Sequence, residues 1–186
     1  MKRIIALAIF ACLAVFAKAQ NTPAGIRTEI TEIEQDDNQF AIFTYKDDDG
    51  TFGYYLSIGR EFKLFEANDG EDGIFNASLS HVDESSIWLG ATRDEAMSTL
   101  EYLLTLFDKD PGFSAEFSGR LTRVMKLGDP TVAKCVVIKR LFGKRLFFLF
   151  DNGRYTADAE LAKSTVKALI SSLKFDAKLH PNRDSK

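Results

Sequence analysis

The sequence predicts an α+β protein with a mainly antiparallel sheet of about seven strands and two amphipathic helices. Three observations lead to this prediction. Alternating apolar and polar residues dominate the first half of the chain and indicate strands. A helical period follows over 92–110, and about three more strand-like segments then precede a second helical period. The predicted order is a β-rich block, a helix, three strands and a helix, which is typical of α+β domains.

The N-terminus has the pattern of a bacterial secretory signal peptide. Two cations precede an apolar run over 4–16, and small residues stand at the −3 and −1 positions of a cleavage site after Ala19. The run is short for a transmembrane helix, and no later stretch is long and apolar enough to span a bilayer. We expect residues 1–19 to be removed at the Ala19-Gln20 bond, so that the protein is secreted or periplasmic.

Residues 20–178 are expected to form a single α+β domain, followed by a frayed polar tail over 179–186. Removal of the signal peptide takes Cys12 with it and leaves Cys135 as the only cysteine. An exported chain with one cysteine forms no intramolecular disulfide. We therefore expect the apolar core alone to hold the fold.

The β-rich block begins with a strand over 26–34 and continues with strands over 61–66 and 74–81 and a short apolar run. A hairpin is predicted between the strands over 26–34 and 61–66, because Asp49-Gly50 is a favoured two-residue hairpin turn. A turn centred there places apolar side chains of both strands on one face, and a one-residue slip would exchange the faces. The expected pairs are Tyr45 with Tyr54, Phe43 with Leu56, and Ala41 with Ile58.

A capping box of Thr92 and Glu95 predicts the start of the first helix, and residues 110–112 predict its end. The segment 113–122 then alternates as a half-buried strand, and residues 128–130 are expected to turn the chain. The apolar stripe predicted for this helix is Ala96, Leu100, Leu103, Leu104 and Phe107.

Residues 133–150 predict two strands that meet at Gly143-Lys144, a plausible type II′ turn that would pair Leu141 with Leu146. Both faces of these strands are largely apolar, which is typical of strands covered on both sides. Four cations gather near the turn, where they can reach solvent. They are Lys139, Arg140, Lys144 and Arg145.

A second helical segment closes the predicted domain. Thr156 or Asp158 is expected to cap its N-terminus, since both residue types are favoured at that position. Its apolar residues recur at helical spacing and are Ala162, Val166, Leu169, Ile170 and Leu173.

Charge is distributed very unevenly along the chain. Residues 20–118 contain 6 basic and 21 acidic residues, a net charge of −15, whereas residues 119–186 contain 15 and 6, a net charge of +9. Such asymmetry suggests binding to a polyanion or a membrane surface. Alternatively, the halves neutralise each other within one chain, or between two copies in a homodimer.

The sequence carries no clear catalytic signature. It has no Gly-x-Ser-x-Gly motif, and Cys135 lies in an apolar strand segment, where cysteines are usually inert. His81 shares a predicted strand face with apolar residues, and His180 lies in the predicted tail. The glycines form neither a Walker nor a dinucleotide-binding pattern, so we expect no cofactor.

Two acidic turns offer the oxygen ligands that Ca²⁺ prefers. Neither turn has the spacing of an EF-hand loop, and acidic residues in turns are commonly turn formers. We therefore predict no metal site. The weak calcium candidates are Asp47, Asp49, Asp69 and Asp72.

We interpret the chain as an exported, non-enzymatic protein that binds another macromolecule, through the basic hairpin tip or the acidic first half. An unknown protein or an acidic glycan is the expected partner. Nucleic acid is disfavoured as a partner because the chain is exported and acidic. Stable membrane insertion is disfavoured because the basic segment is strand-like and does not form an amphipathic helix. Two alternatives stay open: a small hydrolase with paired carboxylates, and a small-ligand carrier with an apolar cavity.

Overall fold

The structure, a computed structural model, describes residues 25–36, 38–66, 78–123, 126–151 and 156–185. The predicted α+β class is confirmed: eight antiparallel strands form one curled sheet, accompanied by two helices in the described part of the chain. The strands are β1 (Ile26–Gln35), β2 (Asn38–Lys46), β3 (Phe52–Glu66), β4 (Ser78–Gly90), β5 (Ser114–Arg123), β6 (Lys126–Arg140), β7 (Gly143–Asp151) and β8 (Thr156–Ala162); the helices are α1 (Arg93–Leu106) and α2 (Lys163–Leu179).

Each strand pairs with the next one along the chain, so the sheet is a simple meander with β1 and β8 at its ends. Short connections favour this order, because antiparallel neighbours can be joined by tight turns. Helix α1 connects β4 to β5, and α2 follows β8 directly. The two helices pack on each other, and α1 also contacts β4 while α2 contacts β1 and β8.

The main core lies between the helices and one face of the sheet. The capping box is confirmed: the Thr92 side chain accepts the Glu95 N–H at 3.3 Å, and Glu95 accepts the Thr92 N–H at 3.3 Å. The predicted apolar stripes of both helices face this core, with Leu104 partly buried at its margin. The sheet residues that they meet include Phe40, Ile42, Tyr54, Leu56, Cys135, Val137, Phe148 and Phe150.

The predicted register of the first hairpin is wrong by one residue. Thr44 lies opposite Tyr54, and Phe43 lies opposite Tyr55. The loop closes through an N–H of Asp47 that donates to the Thr51 carbonyl at 2.8 Å, and Gly50 follows the turn with φ of +87° instead of forming its centre. The prediction failed because it assumed that one face is more polar than the other.

Both faces of β2 and β3 are in fact apolar and buried. On the face opposite the helices, Phe43 stacks on Tyr55 with ring centroids 5.4 Å apart, and Tyr55 meets Trp88 edge-on at 5.0 Å. Tyr45 completes this second cluster. A one-residue slip therefore exchanges two apolar faces, and alternation alone does not determine the register.

The second hairpin also turns at a different place from the one predicted. Arg140 pairs with Gly143, so Leu141 and Phe142 form the turn, and Gly143 follows it with φ of +109°. The predicted pairing of Leu141 with Leu146 is wrong, because Leu146 lies opposite Val137. In both hairpins the glycine comes after the turn centre, where a positive φ is also required.

The face assignment of the second hairpin is confirmed for its core side, where Val137, Leu146, Phe148 and Phe150 are buried. The opposite face is only half-buried, so the expectation that both faces are covered holds on one side alone. Its residues are Val136, Ile138, Phe147 and Leu149.

Three predicted boundaries are corrected. Residues 61–66 continue β3 and do not form a separate strand. Residues 128–130 lie inside β6, where Pro130 is tolerated beside a register irregularity in β5. Residues 156–162 form β8, so neither Thr156 nor Asp158 caps a helix. Of the strand predicted over 74–81, residues 74–77 lie outside the described residues.

The start of α2 is supported by a side chain from the other end of the sheet. Its N-cap, Ala162, has no side-chain hydrogen bond of its own. The side-chain oxygen of Gln35 instead accepts the Ala162 N–H at 2.8 Å and the Thr165 hydroxyl at 2.5 Å, while its Nε2 donates to the Glu160 carbonyl at 2.9 Å. This contact explains why no local cap is needed, and it joins β1 to β8 where the sheet curls.

Gly53 allows Trp88 to pack flat against β3, and we predict that Gly53→Ala destabilises the protein. An added Cβ would lie 1.9 Å from Trp88 Cζ3, which forces the indole to move. We expect a loss of about 1–3 kcal/mol in the free energy of unfolding. Because Trp88 is the only tryptophan in the chain, its fluorescence should shift in the variant. Trp88→Leu in the same background should recover part of the loss, and no recovery would contradict a steric cause.

Candidate functional site

The predicted basic residues lie together on the tip of the β6–β7 hairpin, defined as residues 139–145 and called the tip below. Leu141 and Phe142 form the turn and are 88% and 87% exposed. Tight turns favour Gly, Pro, Asn, Asp and Ser for conformational reasons, and none of these reasons calls for two large apolar side chains. The fold therefore does not account for the apolar character of the turn.

The cations of the tip stand directly behind these two side chains. Lys139 lies opposite Lys144 in the register, one pair behind Arg140 and Gly143, and Arg145 follows opposite Ile138. Like charges directly opposite each other on neighbouring strands are destabilising. The hairpin therefore concentrates positive charge at some cost to its own stability.

Two of the four cations have fixed positions. The Arg140 guanidinium donates from Nε to Glu160 Oε2 at 3.0 Å and from Nη2 to Oε1, and these hydrogen bonds raise the pKa of Arg140. Lys144 Nζ donates to the Lys109 carbonyl at 2.6 Å. In the residues that the structure describes, no ion pair involves Lys139 or Arg145. The tip thus keeps a net positive charge after its internal contacts are made.

The loop after α1 extends this surface. Gly112 N–H donates to the Val137 carbonyl at 2.8 Å, and Val137 N–H donates to the Phe113 carbonyl at 2.9 Å, so the loop is held against β6. Phe113 is exposed, and Lys109 Nζ lies 5.6 Å from the centroid of its ring. The tip together with Lys109 and Phe113 is called the tip surface below.

The acidic turns do not form a metal site in the described residues. Asp47 Oδ1 accepts the Asp48 N–H at 2.8 Å, and Asp49 Oδ1 accepts the Thr51 N–H at 2.8 Å. Hydrogen bonds from Thr51 lower the pKa of Asp49. These carboxylates stabilise their own turn, and within the described ranges no group of three potential ligands could hold a metal. The other two calcium candidates, Asp69 and Asp72, lie outside the described residues.

The surroundings of Cys135 disfavour nucleophilic catalysis. Cys135 is buried in β6, and burial raises the pKa of its thiol to about 12. A thiol with so high a pKa is neutral at physiological pH and a poor nucleophile. His180 is exposed at the C-terminus of α2, and His81 lies in β4 opposite Phe62.

A buried ionic cluster at the C-terminus was not predicted. Asp176 is bound by Arg183 through Nη2–Oδ1 at 2.5 Å and Nε–Oδ2 at 2.9 Å, and by Arg93 through Nη2–Oδ2 at 3.1 Å. Tyr54 donates its hydroxyl to Asp184, which also accepts the Arg93 backbone N–H at 3.1 Å. Burial, followed by the hydrogen bond to Asp184, raises the pKa of Tyr54.

This cluster stabilises the C-terminal segment, and its carboxylates are not arranged as a catalytic pair. Both oxygens of Asp176 are occupied by guanidinium groups, so the carboxylate is not free to act as a base. The cluster contacts residues 180–184, which include the start of a short 3₁₀ turn at Arg183–Ser185. Its members are up to 130 positions apart, and no sequence signal could have connected them.

One concave feature of the described part lies between β1 and α2. It is an open groove of about 510 Å³, lined by polar and charged residues such as Glu29, Ser172 and His180 as well as by Phe175 and Leu179. A small-ligand carrier needs a more enclosed and more apolar cavity. The groove therefore gives the carrier alternative little support.

Comparisons with protein-family models, with curated proteins and with solved structures find no match to this chain. Among the described residues, the helices are too short or too polar to cross a membrane. The interpretation of the site therefore depends on its own residues.

Proposed function

We propose that this is an exported, non-enzymatic protein that binds an anionic partner through the tip surface. The observation that carries the proposal is the unbalanced charge of the tip. Four cations stand on one exposed hairpin, and Glu160 is the single carboxylate that pairs with any of them in the described residues. A cluster of this kind attracts a polyanion and increases its rate of association.

The placement of the cations supports a role outside the fold. Lys139 and Lys144 face each other across the hairpin, an arrangement that lowers stability. The acidic half of the chain does not relieve this charge in the described residues, since the ion pairs between the two halves join Asp108 to Lys163 and Arg93 to Asp176, away from the tip. A protein or an acidic glycan is the partner class that the sequence suggests, and a homodimer joined by the two charge halves stays a prediction.

Charge reversal of the tip tests this proposal. Protein starting at Gln20, which keeps every described residue, would be used as bait in native cell envelope, beside a variant with Lys139, Arg140, Lys144 and Arg145 changed to Glu. We expect the variant to lose the components that the parent protein captures, because like charges now repel. The measurement is quantitative mass spectrometry of the captured material.

A second variant controls for total charge. It changes four other exposed lysines to Glu, which lie away from the tip, and so produces the same change in net charge. They are Lys134, Lys167, Lys174 and Lys178. This variant should capture what the parent protein captures. Capture that survives reversal of the tip, or that disappears equally in both variants, would show that the tip is not the binding surface.

A further inference from the structure

We infer that the partner of the tip surface is an anionic phospholipid bilayer, into whose interface Leu141 and Phe142 insert. This inference rests on the proposed function, since it assigns a partner to the same surface. It concerns reversible docking at the interface and requires no membrane-spanning segment.

The first argument is the shape of the apolar surface. Leu141 and Phe142 project from a two-residue turn and are the most exposed large apolar side chains in the described residues. A stable protein–protein interface buries about 800 Å² on each partner and is built around well-packed pockets. A narrow convex tip offers little such area, whereas the disordered edge of a lipid acyl layer accepts a projecting side chain without a preformed pocket.

The second argument is the order of apolar and basic side chains along the hairpin. The apolar pair comes first, and Lys139 and Lys144 follow two residues behind it. At a strand rise of about 3.3 Å per residue, the backbone of these two lysines lies about 7 Å behind that of the apolar pair. The headgroup region of one leaflet is about 5–8 Å thick. With the apolar side chains at the edge of the hydrocarbon, the cations lie at the level of the lipid phosphates.

The third argument is the flank of the tip. Phe113 and Lys109 repeat the combination of an exposed aromatic ring and a cation beside the hairpin, and the Lys144–Lys109 hydrogen bond of 2.6 Å joins the two parts. Aromatic side chains favour the membrane–water interface, and clustered Lys and Arg favour anionic leaflets. A soluble acidic glycan would account for the cations but not for the apolar turn.

Vesicle binding tests the inference directly. Protein starting at Gln20 would be sedimented with vesicles of phosphatidylcholine alone or mixed with phosphatidylglycerol. We expect binding only to the anionic vesicles, and a Leu141→Ser/Phe142→Ser variant should bind at least about tenfold more weakly. The matched control is Phe175→Ser/Leu179→Ser, which removes the same two residue types from an exposed part of α2 and should bind like the parent protein.

A fluorescent label reports on insertion itself. Leu141→Cys can be labelled selectively with an environment-sensitive thiol probe, because Cys135 is buried and its thiol pKa is about 12. We expect a blue shift of the probe with anionic vesicles and none for the same probe at Val132→Cys, an exposed position of β6.

The outcomes separate this inference from the proposed function. Absence of vesicle binding, or binding that the Leu141→Ser/Phe142→Ser variant retains in full, overturns the lipid inference. If the tip charge-reversal variant still loses an envelope partner in that case, the proposed function stands with a protein or glycan as partner. If charge reversal also changes nothing, both the inference and the proposed function fail.

Discussion

Replacing Asp176 with alanine is expected to lower the free energy of unfolding by about 3–5 kcal/mol, the typical cost of removing one partner from a buried ion pair. The Asp176 side chain is 8% exposed, and its partners Arg93 and Arg183 are 12% and 15% exposed. The substitution leaves two guanidinium groups largely buried with no carboxylate between them. Chemical denaturation followed by circular dichroism measures the loss.

The matched control is Asp108→Ala, which breaks the ion pair with Lys163. This pair joins side chains that are 76% and 46% exposed, where solvent screens the attraction. The expected change is within about 0.5 kcal/mol. Hydrogen exchange adds a local readout, because the amides of 182–185 should lose protection in the Asp176 variant alone. Equal losses in the free energy of unfolding for the two variants would contradict the assignment of Asp176 as the residue that holds the C-terminal segment.

Replacing Phe148 with alanine is expected to destabilise the protein by about 3–5 kcal/mol, because a large apolar side chain is removed from the core and leaves a cavity. Phe148 is fully buried in β7, lies opposite Cys135 and Ala159 in the neighbouring strands, and has its ring centroid 6.3 Å from that of Phe117. The measurement is again the free energy of unfolding from denaturant titration.

Phe142→Ala makes the same chemical change six residues earlier in the same hairpin. Because Phe142 is exposed, the expected change in stability is within about 0.5 kcal/mol. The contrast also bears on function, since a phenylalanine that adds nothing to the fold is free to serve an interface. If Phe142→Ala were as destabilising as Phe148→Ala, the tip would be part of the core and the lipid inference would lose its premise.

Many of the elements could be predicted because they depend on local signals. Thr92 and Glu95 sit three positions apart, and their capping box needs no partner elsewhere in the chain. The apolar spacing of α1 and α2 likewise identified the residues that face the core. For β8 the same reasoning failed, because Thr156 and Asp158 are residue types that are favoured at helix N-caps, whereas the segment 156–162 is a strand.

The candidate site was predicted in composition but not in geometry. The clustering of Lys139, Arg140, Lys144 and Arg145 is visible in the sequence, since all four lie within seven positions. The sequence did not reveal that Leu141 and Phe142 form the turn. Placing the turn two residues later made Leu141 a core residue and hid the exposed apolar pair.

The α+β class, the helical core stripes and the charge of the hairpin could therefore be predicted from residue order alone, because periodicity and local charge are properties of short segments. Tertiary structure alone decided the strand registers and the Arg93–Asp176–Arg183 cluster. Alternation sets the register only where one face of a strand is polar, and here β2 and β3 are apolar on both faces. The cluster depends on side chains that only the curled sheet and the packed helices bring together.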